Sequence, residues 1–422
     1  MQWRRSTRYW LAGWAFHANG ACNDWCVNNS DDDWTVCVNR LSLIMLGGLL
    51  VRLGIAVRNG MLGPQAGLEM DAQGFYLRMV LIARSGFYET MGVGEPAVLN
   101  SMGFLMSIFG DTVLVACVLS SIVWWISSAV FVSTLGVVKA ADRTKTLAAL
   151  AFAFWPTAIA YTAITLREPF QLLFVCVAVH GIVQLLATRN PNYWLLTMFG
   201  LIGAGALHGA LTAFSIILLG ITVLFYALMG THRISLGKVT VAVLLMVVIG
   251  YYGFGLFSGV SYDISKGVLN SAEIYQGNGV EIFGRTNYKS EAGSSGFISS
   301  IFGVPIGLFQ YLFEPLPFRI SAPIDVILFF ENCIRFFVIF IAVQELRHGN
   351  DRMQRLLLLL LFGSYVLCET IWSLGTVNWG TASRHHVPAM GLLMLSGVVA
   401  WTMRKARLRV PKRNVQLRPV LR

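Results

Sequence analysis

Apolar runs too long for a soluble core recur along this chain. The first reaches from Leu41 to Arg58, and further runs of about 17 or more residues follow towards the C-terminus. An α-helix needs about 20 predominantly apolar residues to cross a hydrocarbon core of roughly 30 Å. The chain is 56% hydrophobic and 13% charged, where a soluble domain normally carries about 25% charge. Its 422 residues therefore do not stand for several soluble domains. The sequence reads as an all-α polytopic membrane protein.

The runs predict about ten transmembrane helices, at 41–58, 112–138, 147–164, 169–187, 193–208, 209–229, 239–257, 325–343, 356–373 and 387–403. Two further segments, 72–84 and 97–109 after Pro96, are expected to be helical but too short to span. About 13 residues at ~1.5 Å each fall short of the core, so both are placed at the interface, in the first outer loop. Gly110 and Asp111 end the second and open the next element. A loop rich in Ser, Gly, Asn and Tyr covers about 258–300. The apolar stretch 301–313 is interrupted by Pro305 and stopped by Glu314-Pro315-Leu316-Pro317, and reads as re-entrant or interfacial. Residues 1–40 show no apolar core of a signal peptide. They read as a cytoplasmic tail or as a start assigned too early. Residues 41–403 form one membrane domain, and 404–422 a basic tail. Arg52 lies inside the first span, where a charge costs about 2.5–3.5 kcal/mol on insertion scales. Snorkelling and a partner inside the bundle are both open for it.

The net charge of +11 would suit a nucleic-acid partner, but its distribution does not. Of 32 Lys and Arg, 21 fall on the side of the C-terminal tail and nine on the other, with Arg52 and Arg335 inside spans. By the positive-inside rule both termini are cytoplasmic, in a multi-pass inner (plasma) membrane protein. The basic excess is then a topology signal and an attraction to anionic lipids, and nucleic acid is not an expected partner. Among seven cysteines, Cys117, Cys176, Cys333 and Cys368 sit in apolar runs as packing residues. Cys22-x3-Cys26 has no nearby histidine, so no metal-ligand set is assigned.

Four polar clusters fall on the outer side. Asp71 stands with Tyr76 and Arg78, and Glu69 is a nearby second carboxylate. Asp71 suits either the N-cap of the helix at 72–84 or a general base at the membrane surface. A carboxylate there also suits a divalent metal that would activate a hydroxyl. Next comes Thr165-Leu166-Arg167-Glu168-Pro169, in a hairpin where Pro169 fits the first turn of the following helix. Arg167 and Glu168 are adjacent, and adjacent residues on a helix do not face each other, so a local ion pair explains them poorly. The third cluster is Gly284-Arg285-Thr286-Asn287-Tyr288 in the long loop, a candidate lid. The fourth runs from Asn378 to Pro388 and holds Arg384, His385 and His386. Arg and His crowded at an interface suit a phosphate group. The other reading is interfacial anchoring by Trp379 and Arg384. His208, in a tight outer turn, is a candidate to join them.

In this order the clusters resemble those of bacterial GT-C-type integral membrane glycosyltransferases, in the group related to protein O-mannosyltransferases and lipid A aminoarabinose transferases. The resemblance rests on Arg52 in the first span, Asp71-Ala-Gln-Gly-Phe-Tyr, Trp155-Pro156, Leu166-Arg167-Glu168, and Gly284 to Tyr288. It continues through Glu314-Pro315-Leu316-Pro317-Phe318 and Gly380-Thr381-Ala382-Ser383-Arg384-His385-His386, and covers about 41–403. It implies sugar transfer from a polyprenyl-phosphate donor to a glycan, lipid or protein acceptor on the outer face, with Asp71 as catalytic base. Tyr76, Arg78, Arg167, Glu168, His208, Arg285, Tyr288, Arg384, His385 and His386 are the candidate substrate-binding residues. Many members of that group carry a second acidic residue beside the aspartate, whereas Ala72 follows Asp71 here, which leaves a divalent metal cofactor open. Two other functions fit the residues. One is an oligosaccharide-repeat polymerase or ligase, which would rely on the outer arginines. The other is a lipid or polysaccharide transporter, which would place its charges near the midplane of broken helices.

Overall fold

A computed structural model describes residues 31–63, 69–86, 95–138, 140–228, 286, 297–376 and 378–409, with side chains for all of these except 31–39, 69–70, 95–97, 227–228, 297–303 and 409. Among the described residues the elements are helices, and no strand occurs. They are α1 (Asp31–Leu62), α2 (Glu69–Ser85), α3 (Glu95–Phe109), α4 (Val113–Val137), α5 (Asp142–Phe154), α6 (Pro156–Thr162), α7 (Glu168–Thr188) and α8 (Tyr193–Leu207). There follow α9 (Gly209–Leu228), α10 (Phe297–Phe313), α11 (Pro323–His348), α12 (Arg352–Ser373), α13 (Trp379–His385) and α14 (Met390–Arg409).

Among the described residues six helices are long and apolar enough to cross a membrane, or seven if α13 and α14 form one broken span. The difference from ten has identifiable causes. The expected span at 147–164 is interrupted after Phe154, because Pro156 has no N–H and its ring collides with the preceding turn. The segment 193–208 yields only the 15-residue α8, stopped at His208 before α9 begins. The segment at 239–257 lies outside the described residues. The last span is an elbow: α13 and the following helix meet at 69°, around Val387-Pro388. The expected short helices of the first outer loop are present as α2 and α3, packed on each other. The N-terminal helix starts ten residues earlier than expected, at Asp31. Pro305 sits inside α10 without ending it, and the stop comes at Glu314, as expected.

Packing follows from small residues and outward apolar ones. α7 lies along α8 and α4, α1 along α4 and α5, and α14 along α11 and α12. The α7–α8 approach is close because Gly200 faces α7: a Cβ there would lie 2.3 Å from the Ala178 backbone nitrogen. At the centre, Phe131 and Phe152 stack with ring centroids 4.2 Å apart, beside the fully buried Trp124. Phe199, Phe330, Phe336 and Phe337 point outwards and are exposed. That pattern suits lipid, which solvates such side chains at no cost.

The break between α5 and α6 explains two of the deep charges. Interrupting a helix leaves a carbonyl and an amide without partners. Arg52 Nη1 donates to Ala153 C=O at 2.7 Å on one side of the break. On the other side, Thr157 N donates to Glu331 Oε1 at 2.8 Å, and Thr157 Oγ1 to Glu331 Oε2. The cation therefore caps the negative end of α5, and the anion the positive end of α6. Arg52 also donates to Thr162 Oγ1 and Gly48 C=O, and lies 3.4 Å above the Trp124 ring. It has partners inside the bundle and does not snorkel.

Candidate functional site

Three sequence-distant residues meet at one end of the bundle. Arg384 Nε donates to Glu168 Oε1, and Arg384 Nη1 to Asp71 Oδ2. The Glu168 side chain is 1% exposed and that of Arg384 11%, whereas that of Asp71 is 67% exposed. The geometry is a buried anion holding a cation, which in turn holds an accessible carboxylate. Charge-assisted hydrogen bonds of this kind are among the stronger ones, and the planar fork of arginine suits two acceptors at once.

Local folding sets each member. Helix α2 begins at Glu69, so Asp71 lies inside its first turn, not at its N-cap. The capping role considered for Asp71 is thereby displaced. Glu168 opens α7, with Pro169 in the first turn and Arg167 as the preceding residue. Arg384 stands in the last turn of α13, whose N-cap Asn378 accepts from Thr381 N at 2.7 Å. Neighbouring bonds fix these elements to one another. Thr165 Oγ1 donates to Ala72 C=O at 2.8 Å, and Asn59 Nδ2 to Ala163 C=O at 3.2 Å. The Tyr161 hydroxyl lies 2.7 Å from Ser383 Oγ and bonds Gly380 C=O at 3.2 Å. Trp379 Nε1 donates to Asp325 Oδ1 at 3.2 Å. Beneath Arg384, Glu168 Oε2 is buried without a hydrogen-bond partner among the described residues, as are both amide atoms of Gln171 one turn along α7.

Two histidines flank this centre. His385 stacks on Trp372 with centroids 4.0 Å apart, and His208 lies 4.4 Å from the same indole. The charges of Arg167 and Arg384 act on both rings. Burial, then these two arginines, push the His208 imidazole well below its ordinary range. Its Nδ1 accepts from Ala210 N at 3.1 Å, which caps the start of α9. A group held neutral in the fold but free to charge when unfolded destabilises the fold as pH falls. Stability should therefore drop progressively below about pH 6.5, the ordinary histidine value. In thermal melts from pH 7.5 down to 5.0, His208→Asn, which keeps a capping acceptor but cannot titrate, should show a shallower loss than the parent chain.

Other expected site residues lie elsewhere. The Tyr76 hydroxyl donates to Asp111 C=O at 2.9 Å, and Arg78 folds back to Gly74 C=O with its cation 5.3 Å from Phe75. His386 turns inwards: Nδ1 faces Glu369 Oε2 at 2.8 Å and Nε2 faces Tyr311 C=O at 3.2 Å. Glu314 serves a local turn, paired with Arg319 at 2.9 Å. Arg285 and Tyr288 lie outside the described residues, as do the side chains of Glu69 and the N-terminal cysteines.

A divalent metal does not suit this donor set. The place of a cation between Asp71 and Glu168 is taken by the Arg384 guanidinium, and no group of three acidic, His or Cys ligands converges among the described residues. The sequence reading missed Tyr161, Asn59 and Trp372, which support the site from within apolar runs. A lone polar side chain in such a run was the available signal. No protein-family model, curated protein or solved structure matches the chain.

Proposed function

We propose that this protein is an integral membrane glycosyltransferase that moves a sugar from a polyprenyl-phosphate donor to an acceptor hydroxyl on the outer face of the inner (plasma) membrane. The observation that carries this reading is the convergence of exposed Asp71 with buried Glu168 and Arg384 at one end of an apolar bundle. A lipid-linked donor keeps its chain in the bilayer, so its phosphate and sugar lie where such a centre is found. Asp71 takes the proton of the acceptor hydroxyl. The acceptor oxygen forms its bond to the anomeric carbon as the bond to phosphate breaks, and the phosphate leaves with the electron pair. Arg167 supplies positive charge for that leaving group. Arg384 orients Asp71 while Glu168 fixes Arg384, a narrower role than the phosphate contact expected from sequence alone. Transfer from a polyprenyl-phosphate sugar in proteoliposomes tests the proposal directly.

The two ends of Arg384 give a sharp test of its role. Lysine has one nitrogen and no planar fork, so Arg384→Lys keeps the charge but loses one of the two contacts. Transfer should fall by about 10- to 100-fold, the rate equivalent of roughly 1.5–3 kcal/mol for a hydrogen bond to a charged group. Parent-level transfer by this variant would return Arg384 to interfacial anchoring.

Orientation is checked separately. In a cysteine-free background, Ser85→Cys should react with an impermeant thiol reagent added outside, and Arg143→Cys only after permeabilisation. Both positions are exposed. The reverse pattern would put the Asp71 end in the cytoplasm and rule out an outer-face reaction.

One observation favours a second reading, transport. Two interrupted helices, α5–α6 and α13–α14, meet through Tyr161 and Ser383, and discontinuous helices often line transporter sites. Here the Arg52 and Glu331 charges at the first break are engaged with its backbone ends. Lipid-linked sugar recovered unchanged inside proteoliposomes would favour transport over transfer.

A further inference from the structure

The hydrogen-bond partners of the two histidines beside Arg384 call for opposite tautomers. A backbone amide only donates, so the Ala210 N–H bond at 3.1 Å requires a lone pair on His208 Nδ1. Neutral His208 then carries its proton on Nε2. For His385 the partner is Thr376, whose hydroxyl donates to Trp372 C=O at 2.8 Å. With its one proton so used, Thr376 Oγ1 accepts from His385 Nδ1 at 3.1 Å. Neutral His385 then presents a lone pair at Nε2. Neither Nε2 makes a hydrogen bond among the described residues, and both residues are half-buried. Trp372 lies against both rings and holds them, with their centroids 6.3 Å apart.

We propose that His208 and His385 together bind one hydroxyl of the sugar-bearing substrate, His208 donating a hydrogen bond to its oxygen and His385 accepting its proton in a second. The assignment rests on the glycosyl-transfer reading and gives it a substrate contact. A hydroxyl is both donor and acceptor, which matches a donor nitrogen on one ring and an acceptor nitrogen on the other. One oxygen at about 2.8–3.0 Å from each nitrogen spans two rings at this spacing. An ionised phosphate oxygen only accepts. It would satisfy His208 but meet a lone pair at His385. The pair therefore reads the sugar, while phosphate is left to Arg167.

The test uses the full chain, labelled with ¹⁵N-histidine, in nanodiscs at pH 7.5, with signals assigned through His208→Asn and His385→Gln. The expected spectrum shows His208 protonated at Nε2 and His385 at Nδ1. Farnesyl phosphate, which carries no sugar, should leave both Nε2 signals in place. Farnesyl-phosphoryl glucose or mannose should shift both. The proposal is overturned by either ring in the other tautomer or doubly protonated. It is equally overturned by a shift with farnesyl phosphate alone, or by no shift with either sugar lipid. In the transfer assay, His385→Leu should raise KM for the sugar lipid about tenfold with a smaller change in kcat. His385→Gln, which returns an acceptor oxygen, should restore most of it. Sugar-dependent shifts without any transfer would keep the hydroxyl site and remove the transferase reading. Transfer without shifts would do the opposite.

Discussion

Asp71→Asn is expected to abolish sugar transfer while the protein still inserts and folds. The side chain is 67% exposed and lies in the first turn of its helix, so the substitution changes little packing. An amide oxygen still accepts the hydrogen bond from Arg384 Nη1, which preserves the local geometry. What is lost is the capacity to take up a proton at neutral pH. Loss of a positioned general base typically costs about 10²–10⁴-fold in rate. Exposed ion pairs contribute about 0–1 kcal/mol to stability, so the thermal midpoint should barely move. The measurement is transfer from a polyprenyl-phosphate sugar in proteoliposomes, alongside a size-exclusion profile and a melt. A well-folded Asp71→Asn protein with near-normal turnover would remove Asp71 as the base. A collapse of stability would instead make it a structural residue.

The helical membrane class was legible because a long apolar run has few other physical outcomes. What the runs did not reveal is where a helix stops inside one. Pro156 ends α5, whereas Pro305 sits within α10. The difference lies in partners distant in sequence. At the first break Arg52 and Glu331 satisfy the freed backbone groups, across separations of 101 and 174 residues. Their presence deep in apolar segments was visible, but the pairing of each with one end of a break was not. Likewise the short α8 and the elbow at Val387-Pro388 depend on neighbours that a hydropathy reading does not contain.

The site was legible as a set of residue types on one side of the bundle. Asp71, Arg167, Glu168, His208, Arg384 and His385 do lie together. Their division of labour was not readable. From sequence Arg384 suits either a phosphate ligand or an interfacial anchor, and the structure gives it instead two carboxylate partners, 216 and 313 residues away. His386, next to His385, looked equivalent in sequence, but the turn at the end of α13 sends its ring inwards to Glu369. Adjacent residues on a helix point about 100° apart, and this alone separates a ring at the site from a ring in the core.

Glu168 should prove the residue on which the fold of this end most depends. It is 1% exposed and holds an arginine that is itself 11% exposed. Glu168→Met would leave that guanidinium buried, with the exposed Asp71 as its remaining ion-pair partner among the described residues. Removing one member of a buried pair typically costs about 3–5 kcal/mol, mostly from the charge left behind. Replacing both members by apolar residues of similar volume is often close to neutral. Glu168→Met and Arg384→Met should therefore each lower the unfolding midpoint strongly, and the double variant should be more stable than either single one. Coupling of about 0.5–3 kcal/mol in the cycle is the expected signature of direct contact. Glu168→Gln separates charge from shape: its amide oxygen still accepts from Arg384 Nε, so its loss should fall between the parent and Glu168→Met. Strict additivity in the cycle would mean that Glu168 and Arg384 do not hold each other.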